Sequence, residues 1–207
     1  MKTLQNFSWT FGSLFIFILT TQISVAQTFK VNNSASRMEV LGTSNIHDWE
    51  ILAKDFQGTI NLELENGQLV KISQLDFSVI AESLESGKGG MDNNTYKALN
   101  TDKYKTIIYK LVKVNNIDRT SNNQCKITAS GYLTIAGTKK PIDITFDSKI
   151  SDGNIVLSGN KAIKMSNFNI DAPTALFGTI TTGDEVNIKF QAVFTKIQSK
   201  TNNQYSI

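Results

Sequence analysis

Near its middle the chain reads Ile127-Thr128-Ala129-Ser130-Gly131-Tyr132-Leu133-Thr134-Ile135. Apolar and polar residues alternate here, which is the two-residue period of a strand with one buried face and one wet face. The residues of the buried face are Ile127, Ala129, Gly131, Leu133 and Ile135. Because the central members of this set are small, the stretch predicts a strand whose inner face leaves space in the interior.

The same period recurs on both sides of this stretch. In residues 56–63 and 142–147, apolar and polar residues alternate without interruption. The last strand candidate has its apolar residues on one face, namely Val186, Ile188, Phe190, Ala192 and Phe194. Turn-forming pairs separate the candidates: Asn66-Gly67, Asn115-Asn116, Gly137-Thr138, Asp152-Gly153 and Gly183-Asp184. Short strands joined by such turns predict an all-β, antiparallel barrel or sandwich.

Other segments complete this pattern. Further strand candidates are residues 29–31, 37–41, 47–53, 69–80 with a break near Ser73, 106–114, 126–136 and 154–164. One segment departs from the period, because residues 91–99 predict a short helix capped by Asp92 or Asn93. Its shared face is formed by Met91, Thr95, Ala98 and Leu99. A helix this short needs a surface to pack on, so we expect it across one end of the barrel.

The first 26 residues are predicted to be a secretory signal peptide. Lys2 gives a positive start, residues 11–19 are apolar, and Ser24-Val25-Ala26 supplies small residues before cleavage at Gln27. The apolar run is shorter than the roughly 20 residues that span a bilayer, and no stable membrane span is expected in the mature form. We therefore predict a periplasmic or secreted domain over residues 27–197, followed by a polar tail over 198–207.

The composition of the chain limits the classes of partner that it is expected to bind. The 207-residue chain is 40% hydrophobic and carries a net charge of +3, which suits one globular domain. Lys and Arg are scattered among acidic residues without a basic stripe, so nucleic-acid binding is not expected. Cys125 is the only cysteine, which excludes an intrachain disulfide and favours a structural thiol. The oligomeric state stays open, a homodimer included.

The first place to look for catalysis is the stretch from Gly42 to Glu50. It contains the only histidine, His47, beside Asp48 and Trp49. A catalytic triad uses residues far apart in sequence, and a metal site needs further ligands at suitable spacing. Neither pattern is present, so no catalytic residue, metal or cofactor is predicted. His47 and Asp48 are expected at a barrel end, where they stabilise the turn or meet a polar head group.

The interior admits two interpretations from the residues alone. Small residues on the inner face, with Gly58 and Ala192 at comparable positions on other strands, leave room for one ligand in a barrel of about eight strands. Alternatively, large inner residues occupy that space, since small and large side chains alternate to fit a barrel. The residues that would do so are Phe77, Phe146, Phe190 and Phe194.

A family resemblance favours the first interpretation. The stretch Gly131-Tyr132-Leu133-Thr134-Ile135-Ala136-Gly137-Thr138-Lys139-Lys140-Pro141-Ile142 resembles the central signature of the YceI-like family. The similarity runs from about Phe29 to Lys196. It includes Gly42-Thr43-Ser44, Gly58, residues 91–99 followed by Lys103-Tyr104, and Phe168-Asn169-Ile170. The chain departs from the family at Tyr104-Lys105, where Tyr-Pro is usual, and His47-Asp48-Trp49 is a subgroup form.

The resemblance implies a lipocalin-like barrel that binds a polyisoprenoid, isoprenoid quinone or fatty acyl lipid in an apolar tunnel. The predicted ligand-binding residues are Trp49, Phe77, Met91, Tyr96, Ala129, Gly131, Leu133, Phe146, Phe168, Phe190 and Ala192. Two rivals remain. One is a packed β-sandwich for adhesion or carbohydrate contact, with Trp49 and Tyr132 on an exposed platform. The other is a hydrolase or isomerase that uses His47 with Asp48.

Overall fold

The computed structural model describes residues 26–197. Strands make up most of these residues. The strands are β1 (Ala26–Val31), β2 (Arg37–Ser44), β3 (Trp49–Ala53), β4 (Phe56–Glu65), β5 (Gln68–Ile80), β6 (Leu84–Glu85), β7 (Thr106–Ser121), β8 (Gln124–Ile135), β9 (Thr138–Ser151), β10 (Asn154–Lys164), β11 (Thr174–Ala175) and β12 (Ile180–Lys196). One α-helix, α1 (Gly89–Leu99), interrupts them within these residues. Short 3-10 turns lie at Asn33–Ala35, Ala81–Ser83 and Met165–Phe168.

The sheet closes into a barrel because β1 pairs with both β4 and β12. Within residues 26–197, eight strands form the ring in the order β1, β4, β5, β7, β8, β9, β10 and β12. Neighbouring strands in the ring are antiparallel. The predicted all-β antiparallel barrel is therefore confirmed, and the sandwich alternative is wrong for this chain.

The wall gains β2, β3 and β6 at one end, and the two-residue strand β11 pairs with the start of β12. β12 pairs near its C-terminal end with β1 and over its earlier residues with β2, which pairs in turn with β3 and then β6. The 3-10 turn at Asn33–Ala35 connects β1 to β2. Helix α1 contacts β6 at this end, which we call the helix end of the barrel.

Two of the predicted turn pairs, Asn66-Gly67 and Asp152-Gly153, are hairpin turns, and a third hairpin turn is Ala136-Gly137, one residue before the predicted Gly137-Thr138. Asn66-Gly67, Ala136-Gly137 and Asp152-Gly153 have positive φ at both residues, as a type I′ hairpin turn requires. Asn115-Asn116 is not a turn, because β7 continues through bulges to Ser121. Gly183-Asp184 lies in a bulge of β12 between Thr182 and Val186. A bulge absorbs extra residues while the hydrogen-bonded ladder continues.

The break predicted near Ser73 is also a bulge. Asn61 pairs with Gln74, whereas Leu62 pairs with Ile72, so Ser73 has no partner in the β4–β5 register. The Ser73 hydroxyl instead donates to the carbonyl of Asn61 at 3.2 Å. Strand β5 therefore runs without interruption from Gln68 to Ile80.

The residues predicted to face the barrel interior from β8 and β12 can be compared with the burial observed in the structure. All five residues named for the inner face of β8 are buried, and Val186, Ala192 and Phe194 of β12 are buried as well. At the end of the barrel closed by β1, large side chains fill the interior, and the most deeply buried are Phe29, Ile60, Leu62, Ile155 and Phe194. This filled end is opposite the helix end, so any internal space has to lie toward α1.

Helix α1 is longer than predicted and is capped differently. It begins at Gly89, with Lys88 in the N-cap position and no side-chain cap hydrogen bond. Asp92 instead accepts hydrogen bonds from the backbone N–H of Ser86 at 2.7 Å and from its hydroxyl at 2.6 Å. The prediction that Asp92 or Asn93 caps the helix is therefore wrong, because Asp92 fixes the preceding loop. Asn100 ends the helix in a left-handed conformation, with φ of 51°.

Some predictions fall on residues that are not described. Residues 1–25 and 198–207 lie outside the described range, so the signal peptide over 1–26 and the polar tail stay predictions. Between residues 26 and 197, no helix has both the length and the apolar character needed to cross a membrane.

Candidate ligand-binding cavity

A cavity with a volume of about 420 Å³ lies at the helix end of the barrel. We call it the outer cavity. Its walls come from β2, β3, α1, the segment 163–175 and the first half of β12. Apolar side chains dominate the lining and include Met38, Val40, Trp49, Ile51, Met91, Ala98, Leu99, Phe168, Ile170, Val186 and Ile188. A volume of this size is within the range of small-molecule and lipid sites, about 300 to 1,000 Å³.

The outer cavity reaches the surface between the turn after β2 and the start of α1. Four of its lining residues there are exposed to solvent, namely Ile46, His47, Lys88 and Gly90. On α1, the four residues predicted to share one face all line the cavity: Met91, Thr95, Ala98 and Leu99. The helix therefore forms one side of a mouth through which a ligand can enter.

A second cavity of about 130 Å³ lies deeper in the barrel. We call it the inner cavity. It shares four lining residues with the outer cavity, Met38, Val79, Ile107 and Ile188. Because the two cavities share these walls, they adjoin along the barrel interior, and together they run from the mouth toward the filled end.

Most of the predicted ligand-binding residues line one of the two cavities. Trp49, Met91 and Phe168 line the outer cavity. Those in the inner cavity are Phe77, Leu133, Phe146, Phe190 and Ala192. Tyr96, Ala129 and Gly131 line neither. Ligand contact by these residues remains a prediction, and the geometry brings eight of the eleven to the cavity walls.

Gly131 does not line the cavity because an aromatic ring covers it. A Cβ added at Gly131 would lie 2.7 Å from the ring of Tyr109 and 2.6 Å from the backbone oxygen of Lys110. Gly58 is covered in the same way, with the ring of Phe77 at 2.8 Å from an added Cβ. The small residues thus accept neighbouring rings, and it is the rings that face the cavity.

Trp49 is fixed at the mouth by the same type of contact. A Cβ on Gly42 would lie 2.1 Å from the Trp49 ring, so the indole rests directly on the glycine backbone. The indole N–H donates to the carbonyl oxygen of Thr43 at 2.9 Å. Trp49 is half-buried and therefore forms cavity wall instead of an exposed aromatic platform.

The turn between β2 and β3 places His47 at the rim of the outer cavity. The Ser44 hydroxyl donates to the carbonyl of His47 at 2.7 Å. The Asn45 side chain donates to Thr179 and accepts from the N–H of Thr181, at 2.9 and 3.0 Å, which joins the turn to β12. These bonds stabilise the rim through the Ser44 hydroxyl, the Asn45 side chain and backbone groups, and do not use the imidazole.

The His47 side chain contacts its own neighbour's backbone. Its Nδ1 lies 2.8 Å from the carbonyl oxygen of Asp48. A carbonyl only accepts, so Nδ1 carries the proton in this contact. The Asp48 side chain is exposed and lines neither cavity. In the described residues, no group of three or more His, Cys, Asp or Glu is arranged to hold a metal ion.

Sequence reasoning missed two polar residues of the inner cavity, Tyr109 and Lys161. The Tyr109 hydroxyl is buried and has no hydrogen-bond partner, and burial raises the pKa of Tyr109 to about 12. Lys161 lies on the inward side of β10 between Gly159 and Ile163. The sequence pattern could have predicted the inward position of Lys161, because this residue lies on the same side of β10 as the buried residues Ile155 and Leu157.

The segment that covers the helix end is joined to β12 through Asp184. Its carboxylate accepts from the N–H of Ser166 at 2.8 Å and from the Ser166 hydroxyl at 2.6 Å. These bonds hold the pKa of Asp184 below its ordinary value of 3.8. Ionisation of Asp184 therefore strengthens the contact of the 3-10 turn at Met165–Phe168 with β12.

We expect acid to release this contact. Because the pKa of Asp184 is lowered in the folded protein, its contribution is present above the ordinary Asp value and is lost as pH falls through the lowered one. Hydrogen exchange at the Ser166 amide should accelerate below about pH 4, beyond the intrinsic change. Asp184→Asn should remove that pH dependence. Equal protection of Ser166 at neutral and acid pH would contradict the assignment.

Comparisons with known proteins agree with this architecture. The model of the YceI-like domain matches residues 29–194. The crystal structure of BcnA from Burkholderia cenocepacia is similar, with a TM-score of 0.62 and 17% identity over 79% of this chain and 98% of that one. No curated protein matches the chain significantly.

Two further structures are similar. A polyisoprenoid binding domain from Saccharophagus degradans, implicated in plant cell wall breakdown, has a TM-score of 0.63 and 10% identity over 83% of this chain and 99% of its own. The YCEI protein of Campylobacter jejuni has a TM-score of 0.52 and 20% identity over 95% of this chain and 100% of its own. At these identities the similarity shows the fold.

Proposed function

We propose that this chain, which belongs to the YceI-like family, binds a long-chain apolar ligand non-covalently inside its barrel. A polyisoprenoid, an isoprenoid quinone or a related lipid fits this description. The observation that carries the proposal is the outer cavity of about 420 Å³, whose walls are apolar side chains and which continues into the inner cavity. A similar structure is described as a polyisoprenoid binding domain, which supports the same ligand class.

The hydrophobic effect is large enough for such binding. Each buried methylene contributes about 0.8 kcal/mol, so roughly ten to fifteen of them contribute about 8 to 12 kcal/mol before costs. Lost translational freedom and chain ordering offset several kcal/mol of this gain. Micromolar or tighter affinity therefore needs neither a covalent bond nor a metal, and the proposed role is that of a binding protein instead of an enzyme.

In this proposal the chain acts after export, in the periplasm or outside the cell. Residues 1–26 have the pattern of a cleavable signal peptide. A carrier for an apolar molecule is needed in such a compartment, because long isoprenoid chains have almost no solubility in water.

The test is to identify what the protein carries. We expect native mass spectrometry of the purified protein to show added mass that organic extraction removes. The delipidated protein should then take up a fluorescent isoprenoid, and its melting temperature should rise. A ligand at 100 times its Kd stabilises the folded state by about 2.7 kcal/mol. A protein that carries no lipid, takes up no probe and keeps its melting temperature would overturn the proposal.

A further inference from the structure

Within the described residues, the cavity-lining side chains that can carry a positive or negative charge near neutral pH are all basic. His47 and Lys88 lie at the mouth of the outer cavity, and Lys161 lies in the inner cavity. Among the described residues, no aspartate or glutamate lines either cavity. An apolar tunnel whose charged wall residues are lysines is suited to a ligand with negative charge.

Lys161 is in an unusual position for a lysine. The inward residues of β10 run Ile155, Leu157, Gly159, Lys161 and Ile163, while the intervening Asn160 and Ala162 are exposed. The Lys161 side chain is half-buried among the apolar residues of the inner cavity. Within residues 26–197, the Lys161 ammonium group forms no ion pair and no hydrogen bond. A lysine held against apolar surface without a counter-ion is costly unless water or a ligand reaches it.

The barrel wall is incomplete beside Lys161. Pairing between β9 and β10 extends only to Phe146 and Gly159. Beyond this point β9 pairs with β8 alone, and residues 160–164 pair with β12 alone. Farther along, Asn169 donates to the Thr138 hydroxyl at 3.2 Å and so links the 3-10 segment to the start of β9. Lys161 is located at the resulting side gap, where its ammonium can remain hydrated while its stem lies on the cavity wall.

Tyr109 supplies a second polar group to the inner cavity. Its hydroxyl is buried and unpartnered, and its ring is held over Gly131. With a pKa raised to about 12 by burial and, to a smaller extent, by the charge of Asp143, the hydroxyl stays protonated and is a hydrogen-bond donor at neutral pH. A buried donor without an acceptor is destabilising, and a ligand oxygen in the inner cavity would satisfy it.

We propose that the inner cavity is the head-group site for an amphiphile with an anionic head, with Lys161 as counter-ion and the Tyr109 hydroxyl as hydrogen-bond donor. The apolar tail then lies in the outer cavity, toward the mouth. A carboxylate and a phosphate share the required chemistry, which is anionic oxygen. The inference rests on the proposed function and specifies which end of the ligand lies deepest.

The experiment compares three probes of equal chain length on the delipidated full chain: palmitic acid, hexadecyl phosphate and hexadecanol. We expect at least one of the two anions to bind about 10- to 100-fold more tightly than the alcohol, the usual effect of a charge-assisted hydrogen bond. Lys161→Met keeps a similar stem without the charge and should abolish this preference. Lys149→Met, at an exposed lysine of β9 that lines neither cavity, is the matched control and should retain it. Lys88→Met tests whether the head group lies at the mouth instead. Whichever anion is preferred identifies the head group.

Three outcomes would overturn the inference. If hexadecanol binds as tightly as both anions, the anionic head is wrong, while the proposed function stands. If Lys88→Met removes the preference and Lys161→Met retains it, the head group lies at the mouth. If no probe binds, both the inference and the proposed function fail.

Tyr109→Phe provides a separate readout. It should weaken binding of the preferred anion by about tenfold and should raise the melting temperature of the ligand-free protein, because the unpartnered hydroxyl is removed. A purely structural tyrosine would show no loss of affinity. Unchanged affinity for the anion would therefore overturn the role assigned to Tyr109.

Discussion

Replacing Gly131 with alanine is expected to destabilise the barrel by roughly 2 to 3 kcal/mol, toward the upper part of the usual overpacking range. The added methyl would lie 2.6 Å from the carbonyl oxygen of Lys110 and 2.7 Å from the Tyr109 ring. The ring could rotate, but the carbonyl belongs to the β7–β8 ladder and can move only if the strands separate. For a chain of this size the melting temperature should fall by about 5 to 10 °C.

The matched control is the same methyl group added at Gly89. An added Cβ there meets nothing within 4 Å, and the residue begins α1. Gly89→Ala should leave stability unchanged or raise it by up to about 1 kcal/mol, since alanine loses less conformational freedom than glycine in a helix. Calorimetric melting of both variants checks the pair. Similar melting temperatures for Gly131→Ala and the parent protein would show that the ring does not rest on the glycine.

The alternation of apolar residues was sufficient to predict the barrel and its inward faces. Parity in β8 and β12 depends only on the two-residue period, and no bulge interrupts Gln124–Ile135 itself. Parity does not reveal what lies across the interior. The small residues Gly58 and Gly131 were therefore interpreted as cavity lining, whereas the rings of Phe77 and Tyr109 occupy that space.

The site was predicted less completely than the fold. The shared face of α1 was correct because residues spaced by three and four positions lie on one side of a helix. The side gap beside Lys161 could not be predicted, because it depends on where pairing between β9 and β10 stops. The unpartnered state of the Tyr109 hydroxyl likewise depends on the whole set of neighbours across the barrel. Contacts of this kind join residues that are far apart in sequence, so local residue patterns do not predict them.

Blocking the junction between the two cavities is expected to have the largest effect on binding. Ile188 lines both cavities and is half-buried. In the Ile188→Trp variant the indole should occupy the junction and exclude the chain from the inner cavity. If about four methylenes lose their contacts, at about 0.8 kcal/mol each, affinity falls by about 200-fold. Titration of the delipidated protein with hexadecanol measures this loss.

Chain length distinguishes a blocked tunnel from a damaged wall. Octanol is short enough to stay in the outer cavity, so Ile188→Trp should leave its affinity unchanged while hexadecanol binding weakens. Gln191→Trp, which adds an indole to the exposed outer side of the same strand, should change neither. The new indole fills existing space, so the melting temperature should change little. Loss of both alcohols together with a lower melting temperature would mean that the wall has been disrupted. Unchanged hexadecanol binding would mean that the ligand does not pass Ile188, and the inner cavity would then have no part in holding the chain.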